Sequence, residues 1–280
     1  MTYKDLLVHL DDAKGCGSRV DAAVRLAARH EAHLTGFYPI VEIPLLNYIR
    51  ERIPRDIQAS MDAEAKAQAE AAQKAFKEAA ERGGVSYETR IDQALDTTLA
   101  RVVSMHARYA DLVVLGQVDP DQPPYVGHHL PKEVVLSAGR PVLIVPYDWA
   151  LETLGDRVLI AWDASREAAR AVSDALPILE RAGSVLVASV NPKQTPLDHG
   201  ELPGADIALH LARHGIDVEV RSIEVDQMEV GEALLSFAAD AARDLLVMGA
   251  YAHSRLRELV LGGATRTVLE RMTLPVLMAH

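Results

Sequence analysis

The chain repeats three apolar segments in the same order, and this repetition constrains the fold more than any other feature of the sequence. The matching pairs are "YKDLLVHLDD" (3–12) and "GDRVLIAWDAS" (155–165), "ADLVVLG" (110–116) and "RDLLVMG" (243–249), and "RPVLIVPY" (140–147) and "LPVLMAH" (274–280). Segments that recur in a fixed order are the signature of an internal repeat. The sequence therefore predicts a tandem duplication into two units, residues 1–150 and 151–280, with the boundary near 148–155.

Within each unit, short apolar runs alternate with longer amphipathic segments such as 18–32 and 231–243. The short runs are rich in Val, Ile and Leu and lack strict alternation, which is typical of strands buried on both faces of a parallel sheet. The predicted strands are 4–10, 33–40, 85–91, 111–116 and 141–146 in the first unit, and 157–162, 184–190, 217–224, 244–248 and 275–279 in the second. Strand–helix alternation predicts two tandem, doubly wound α/β units.

Charge and composition exclude several classes of protein. The formal net charge is −11, which argues against a general nucleic-acid or anionic-membrane surface. The single cysteine, Cys16, excludes an intrachain disulfide and gives no zinc-cluster spacing. The N-terminal segment lacks the apolar core of a signal peptide, and no apolar run approaches the roughly 18 residues that span a bilayer. We expect a cytoplasmic protein whose partners are neither nucleic acid nor membrane.

Ligands of doubly wound sheets bind outside the carboxyl ends of the strands, and three features of the second unit meet there. Asp163 follows the first strand of this unit, Val190 and Asn191 follow the second, and the fourth strand ends at Met248 and Gly249. We therefore expect the candidate site at this edge of the second unit.

The segment "GAYAHSRLRELVLGGAT" (249–265) follows the fourth strand directly. Gly262 and Gly263 lead into a helix that begins at Ala264 and Thr265, and a helix N-terminus offers free N–H groups and a positive dipole end to a phosphate. His253 and Arg255 add side chains that suit an anion. The same glycines also fit a helix C-cap followed by an N-cap, so a purely structural corner remains the alternative.

The duplicated α/β unit, the aspartates at the strand ends and the last forty residues resemble the universal stress protein family in its tandem form. The resemblance implies an adenine nucleotide alpha hydrolase-like fold with a five-stranded parallel sheet in each unit. It also implies an internal pseudo-dimer in which the units pair through their last strands, 141–146 and 275–279. A homodimer of whole chains is left open.

Nucleotide-binding members of that family carry the motif G-x2-G-x9-G-[S/T]. On this sequence the first glycine is Gly249 and the third is Gly262, but the second falls on Ala252 and the hydroxyl position on Gly263. Thr265 matches a further hydroxyl position two residues on. The spacing is kept while two motif positions have changed, and we expect weakened binding of ATP or a related adenine nucleotide, with or without Mg²⁺.

The resemblance assigns the adenine side to Asp163 and the residue after strand two to Val190. The full set of predicted binding residues is Ala161, Asp163, Val190, Met248, Gly249, His253, Arg255, Gly262, Gly263, Ala264 and Thr265. Three hypotheses stay open: a nucleotide sensor that signals to protein partners not yet identified, a slow ATPase, and a nucleotide-free scaffold. No motif predicts a catalytic residue or a resident metal.

The corresponding loop of the first unit departs further from the motif. Only ten residues separate Gly116 from Gly127 where the motif has twelve, and Asp119 and Asp121 would repel a phosphate. Prolines in this loop oppose the short helix. Asp11 persists at the first strand, but we expect no nucleotide binding in this unit.

We interpret three further features of the sequence as structural rather than functional. The Ala- and charge-rich segment 60–84 predicts a helix that packs by its Ala/Phe stripe, with a partner-binding helix as the alternative. Adjacent His128 and His129 favour an exposed loop over a metal site. Cys16 lies before the first helix without a histidine base placed near it by the sequence.

Overall fold

The computed structural model describes residues 2–42, 54–121, 127–150, 153–192, 204–251 and 263–280. The strands are β1 (Asp5–His9), β2 (His33–Glu42), β3 (Tyr87–Leu95), β4 (Leu112–Gly116), β5 (Val142–Val145), β6 (Arg157–Ala161), β7 (Ser184–Val190), β8 (Val218–Ile223), β9 (Leu245–Gly249) and β10 (Val276–Ala279). The helices are α1 (Cys16–His30), α2 (Arg55–Arg82), α3 (Leu99–Ala107), α4 (Leu130–Ser137), α5 (Arg166–Leu179), α6 (Ala205–Arg213), α7 (Val230–Asp240) and α8 (Ala264–Arg271). The strand predictions are confirmed to within a few residues at each end.

The ten strands of the described residues form one continuous sheet in the order β3-β2-β1-β4-β5-β10-β9-β6-β7-β8. The strands within each half are parallel, whereas β5 and β10 pair antiparallel, with Leu143 opposite Leu277. Each half has the same internal order, so β1–β5 and β6–β10 are called the first and second units below. The predicted pairing of the units through their last strands is confirmed, while the domain boundary near residue 150 stays a prediction.

Helices cover both faces of the sheet, and alternate strand residues enter two separate cores. Leu6 and Val8 of β1 pack on the face that α1, α2, α5 and α6 cover. Leu7, between them, packs on the face that α3, α4, α7 and α8 cover. Because both faces are buried, the strands need apolar residues at every position, which explains their lack of polar–apolar alternation.

The long helix of the first unit confirms the prediction for 60–84 and extends it to Arg55–Arg82. Its buried residues, Ala69, Phe76, Ala79 and Ala80, form the Ala/Phe stripe, and the rest of the helix is largely exposed. Among the described residues no helix combines the length and the apolar character needed to cross a membrane.

The units also contact each other outside the sheet, through residues in and next to α1 and α5. The Arg29 guanidinium donates to the carbonyl oxygens of Leu154, Gly155 and Arg181, and the Arg181 guanidinium donates to the Arg29 carbonyl at 3.0 Å. The Tyr3 hydroxyl donates to the Asp174 carbonyl at 2.7 Å. The reciprocal arginine contacts are those that a twofold-related pair of units makes at its symmetry axis.

We predict that Arg29→Ala lowers the free energy of unfolding by about 1–3 kcal/mol, because three carbonyl groups lose a charged donor at the contact between units. Denaturant unfolding at constant pH measures the change. Arg101→Ala is the matched control, since Arg101 is exposed on α3. Equal stability of the two variants would contradict the role assigned to Arg29.

Candidate functional site

The carboxyl ends of three neighbouring strands place four predicted site residues at one edge of the second unit. Strand β6 ends at Ala161, β7 ends at Val190, and β9 ends with Met248 and Gly249. In the sheet β6 lies between β9 and β7, with Ala161 opposite both Met248 and Ala188. The topology therefore brings these positions to one edge, as predicted.

Asp163 follows β6 at the same edge and is exposed. Its Oδ1 accepts the N–H of Ser165 at 3.0 Å, while the Ser165 hydroxyl oxygen accepts the N–H of Ala168 at 3.1 Å and caps α5. This pair of side-chain bonds fixes the turn from strand to helix. The carboxylate is held in place and remains open to solvent.

Gly249 lies against the first turn of α5. A Cβ atom at this position would lie 2.6 Å from the carbonyl carbon of Glu167 and closer still to the backbone nitrogen of Ala168. Backbone atoms cannot move aside as a side chain can, so this packing requires glycine whatever the site binds. Part of the motif thus has a structural explanation in its own right.

Helix α8 begins beside this strand end. Gly263 is its N-cap in an extended conformation (φ −71°, ψ 138°), and no described side chain caps the helix or lies within 4 Å of where a Cβ on Gly263 would be. Ala264 is the first helical residue, and the buried Thr265 hydroxyl oxygen accepts the N–H of Tyr251 at 3.2 Å. Thr265 therefore ties the chain after β9 to the helix N-terminus.

Eight of the eleven predicted residues are located in this way. The structure places Ala161, Asp163, Val190, Met248, Gly249, Gly263, Ala264 and Thr265 around the carboxyl edge and the start of α8. His253, Arg255 and Gly262, together with Ala252, lie outside the described residues. Their part in the site stays a prediction.

The first unit has a cavity of about 470 Å³ at its own carboxyl edge. The Arg19 guanidinium crosses this region from α1, donates to Asp11 Oδ1 at 2.6 Å, and lies where a Cβ on Gly116 would be. In the second unit the corresponding space beside Gly249 is filled by the backbone of α5. The space beside the strand-end glycine is therefore occupied by a buried guanidinium in the first unit and by helix backbone in the second.

Burial and charge shape the titration of the groups around Arg19. Burial acts to raise the pKa of Asp11, but the charges of Arg19 and His9 and hydrogen bonds from Arg19 and Ala13 outweigh it and hold this pKa below its ordinary value. Burial lowers the pKa of His9 to about 4, although Asp11 opposes the shift. Near neutral pH, Asp11 and Arg19 thus form an ion pair beside an uncharged histidine.

Sequence reasoning missed Arg19 and this cavity. The arginine lies in an amphipathic segment whose pattern gives no sign that a charged residue will be buried. The one available signal was Asp11, a carboxylate that needs a partner once it is removed from water.

The structure also places Cys16 and the adjacent histidines that the sequence analysis considered. Cys16 is the first residue of α1 and lies beside Arg19. The rings of His128 and His129 meet edge to face with centroids 5.3 Å apart. No group of three or more His, Cys, Asp or Glu side chains among the described residues could hold a metal ion.

We predict that Gly249→Ala lowers the free energy of unfolding by about 1–3 kcal/mol, because the new methyl group meets backbone atoms of α5. Chemical denaturation checks this value. Gly17→Ala is the control, since no described atom lies within 4 Å of the added carbon there. We expect the control variant to have an unchanged or slightly higher free energy of unfolding. An unchanged free energy of unfolding for Gly249→Ala would contradict the prediction and show that α5 can shift.

We predict a loss of stability between pH 6.5 and pH 4 that depends on His9. Its folded-state pKa of about 4 lies below the ordinary 6.5, so the unfolded chain binds the proton first and stability falls as the pH falls through this window. The His9 share is roughly 3 kcal/mol. His30, whose pKa burial and nearby cations also lower to about 4, adds a fall of the same sign.

Denaturant unfolding of the wild type and His9→Gln at several pH values isolates the His9 share. The free energy of unfolding of the variant should fall less steeply as the pH is lowered, and it should keep the part of the fall that belongs to His30. Identical pH profiles would rule out a buried, uncharged His9.

Comparison with known proteins finds a family model that matches the second unit. The model of the universal stress protein family matches residues 155–280. A universal stress protein of Synechocystis sp. is 32% identical over 155 residues, a match that covers 52% of this chain and 49% of the relative. The chain thus matches about half the length of that curated relative.

Solved structures match the chain over nearly its whole length. A universal stress protein from Archaeoglobus fulgidus is 18% identical, with 98% of this chain and 97% of that chain covered and a TM-score of 0.73. The cytoplasmic domain of a prokaryotic cation chloride cotransporter is 12% identical, with 99% and 95% covered and a TM-score of 0.52. Residues 155–280 thus match the universal stress protein family model, and the whole chain has a fold similar to that of the Archaeoglobus universal stress protein.

Proposed function

We propose that the second unit binds an adenine nucleotide, or another phosphate-bearing small molecule, weakly and thereby changes which proteins the chain contacts. The observation that carries the proposal is the start of α8, which no described side chain caps and which lies at the same sheet edge as Gly249 and Asp163. We further propose that both units are universal stress protein domains and that the protein acts in the cytoplasm.

The phosphates are assigned to the N-terminus of α8. The first N–H groups of a helix have no partner within the helix, and the helix dipole adds positive potential at that end. Gly263 has no Cβ, so a ligand can approach the backbone of the first turn closely. A phosphate there would occupy the place of a side-chain cap.

Thr265 can also donate a hydrogen bond to the phosphate. Its hydroxyl oxygen already accepts the Tyr251 N–H, but a hydroxyl also carries one hydrogen that it can donate. A phosphate oxygen near the first turn is a suitable acceptor. The residue would then fix the loop and the ligand at once.

Asp163 is assigned to the nucleoside end. A carboxylate accepts hydrogen bonds from ribose hydroxyl or adenine amino groups, and this one is exposed at the edge between β6 and β7. Mg²⁺ is proposed only as a partner of the nucleotide phosphates, since Mg²⁺ at such sites is bound through substrate phosphates and one or two carboxylates.

Two substitutions at Gly263 test the phosphate assignment in opposite directions. We predict that Gly263→Ser tightens ATP binding about tenfold to a hundredfold, because a hydroxyl at the N-cap adds a hydrogen bond to a charged group. Gly263→Asp should abolish binding, because its carboxylate competes for the same N–H groups and repels phosphate. Both side chains are good N-caps in the extended conformation of this residue, so both variants should fold.

Calorimetric titration of Mg-ATP into nucleotide-stripped protein measures these affinities, with thermal unfolding to establish that the variants are folded. Equal affinity of the wild type, Gly263→Ser and Gly263→Asp would refute phosphate binding at α8. Absence of heat and of a thermal shift for all three would favour the nucleotide-free scaffold. Release of inorganic phosphate in step with binding would favour the slow ATPase.

A further inference from the structure

Strand β3 ends the sheet on the side of the first unit, and no described strand pairs with its outer edge. The Leu34 N–H of β2 donates to the carbonyl oxygen of Ser86, so the backbone groups of Ser86 point toward β2. In a strand, the N–H and C=O groups of successive residues point alternately to the two sides. The outward-pointing residues are therefore Tyr87, Thr89, Ile91 and Gln93.

Two large apolar side chains of this edge strand are exposed. Ile91 is 46% exposed and Leu95 is 40% exposed, and no other described strand carries an exposed large apolar residue. Edge strands that avoid association usually carry a proline, a lysine or a bulge. Strand β3 has neither proline nor lysine, and its register with β2 runs without interruption over nine residues. Such an edge is suited to pair with another strand.

The sequence of β3, YETRIDQAL, is complementary to itself in the antiparallel direction. If Ile91 faces Ile91 of a second copy, Thr89 faces Gln93 and Arg90 faces Asp92. The outward-pointing residues then form the hydrogen-bonded pairs. Arg90 and Asp92 form a non-hydrogen-bonded pair, in which opposite side chains lie closest together. Because the twofold axis passes through the Ile91 pair, the Arg90–Asp92 ion pair occurs twice.

Within one chain the charged residues of this edge have local partners that pairing would exchange. Arg90 forms an ion pair with Glu88. Asp92 Oδ1 accepts the N–H of Gln93 at 2.8 Å, and its Oδ2 lies 3.4 Å from His106 Nε2. A second copy would supply a carbonyl oxygen to the Gln93 N–H and release Asp92 Oδ1 for Arg90. The charges therefore determine the register, while the backbone bonds and the burial of Ile91 supply the affinity.

We propose that β3 is an interface between two copies of this chain, which pair antiparallel about Ile91 so that their two sheets become one. The partner is a second copy because the edge matches itself in charge and in hydrogen-bonding register, and such a twofold contact closes after two chains. The interface lies at the end of the sheet opposite to β8. Its test is therefore independent of nucleotide binding in the second unit.

Disulfide cross-linking tests the register. Cys16→Ser removes the one cysteine of the chain, and Ile91→Cys or Gln93→Cys is then added to that variant. We expect Ile91→Cys to form a covalent dimer on mild oxidation, because the axis places residue 91 about 5.5 Å from its own copy, a Cα separation that a disulfide spans. Gln93→Cys is the matched control on the same face of the strand. It should stay monomeric under denaturing conditions, because residue 93 lies about 14 Å from its own copy.

Sedimentation velocity over a series of micromolar concentrations tests the ion pairs in the chain without added cysteines. We expect the wild type to form a reversible dimer. Arg90→Asp should weaken dimerisation about tenfold or more, because each dimer gains two pairs of opposed carboxylates. Arg90→Asp combined with Asp92→Arg restores opposite charges and should return the affinity to within about threefold of the wild type.

Arg221→Asp is the matched control on β8, because Arg221 pairs with Glu219 on that edge strand as Arg90 pairs with Glu88 on β3. We expect it to leave dimerisation within about twofold of the wild type. Thermal unfolding establishes that each variant is folded. A monomeric wild type, equal cross-linking of the two cysteine variants, no recovery in the folded charge-swapped variant, or equal losses in Arg221→Asp and Arg90→Asp would each overturn the proposal.

Discussion

The antiparallel pairing of β5 with β10 determines the rest of the structure. Both strands are short and wholly buried, with Ile144 opposite Val276 and Leu143 opposite Leu277. Because this pair is antiparallel, the strands of the two half-sheets run in opposite directions, and the carboxyl ends of the two units lie at opposite edges of one continuous sheet. The protein therefore has two separate candidate ligand edges, while its hydrophobic cores run through both units without interruption.

Helix α8 connects those two edges. Its N-terminus lies at the carboxyl edge of the second unit, and the carbonyls of Leu269 and Glu270 near its other end accept hydrogen bonds from Gln117 at the carboxyl edge of the first. Eight residues of α-helix span only about 12 Å, so the start of the helix and the wall of the first cavity are held at a short, fixed separation. The second unit cannot form the matching bond, since the fully buried Ala250 follows Gly249 where Gln117 follows Gly116.

Much of the fold could be predicted from sequence because burial on both faces makes the strands nearly continuous apolar runs, and the repeat supplied each run twice. The strand around Leu159, for example, could be recognised from its similarity to the segment around Leu7. The pairing of β5 with β10 came from the family resemblance, and its antiparallel direction came from the structure alone, because a buried run such as "VLIV" carries no information on its partner's direction. The site residues could be predicted only as positions at strand ends. The burial of Arg19 depends on how α1 packs over β4, which no periodicity reveals.

The two strand-end glycines show why similar motifs can support different chemistry. At Gly249 the backbone of α5 approaches so closely that no side chain fits, and the strand ends beside the N-terminus of α8. At Gly116 the close neighbour is the Arg19 side chain, whose guanidinium lies where a Cβ would be and is paired with Asp11. The cytoplasmic domain of a cotransporter has a similar fold, so the fold alone does not select a ligand. The two edges differ locally instead: helix N–H groups that no described side chain caps lie beside Gly249, and the Arg19–Asp11 ion pair lies beside Gly116.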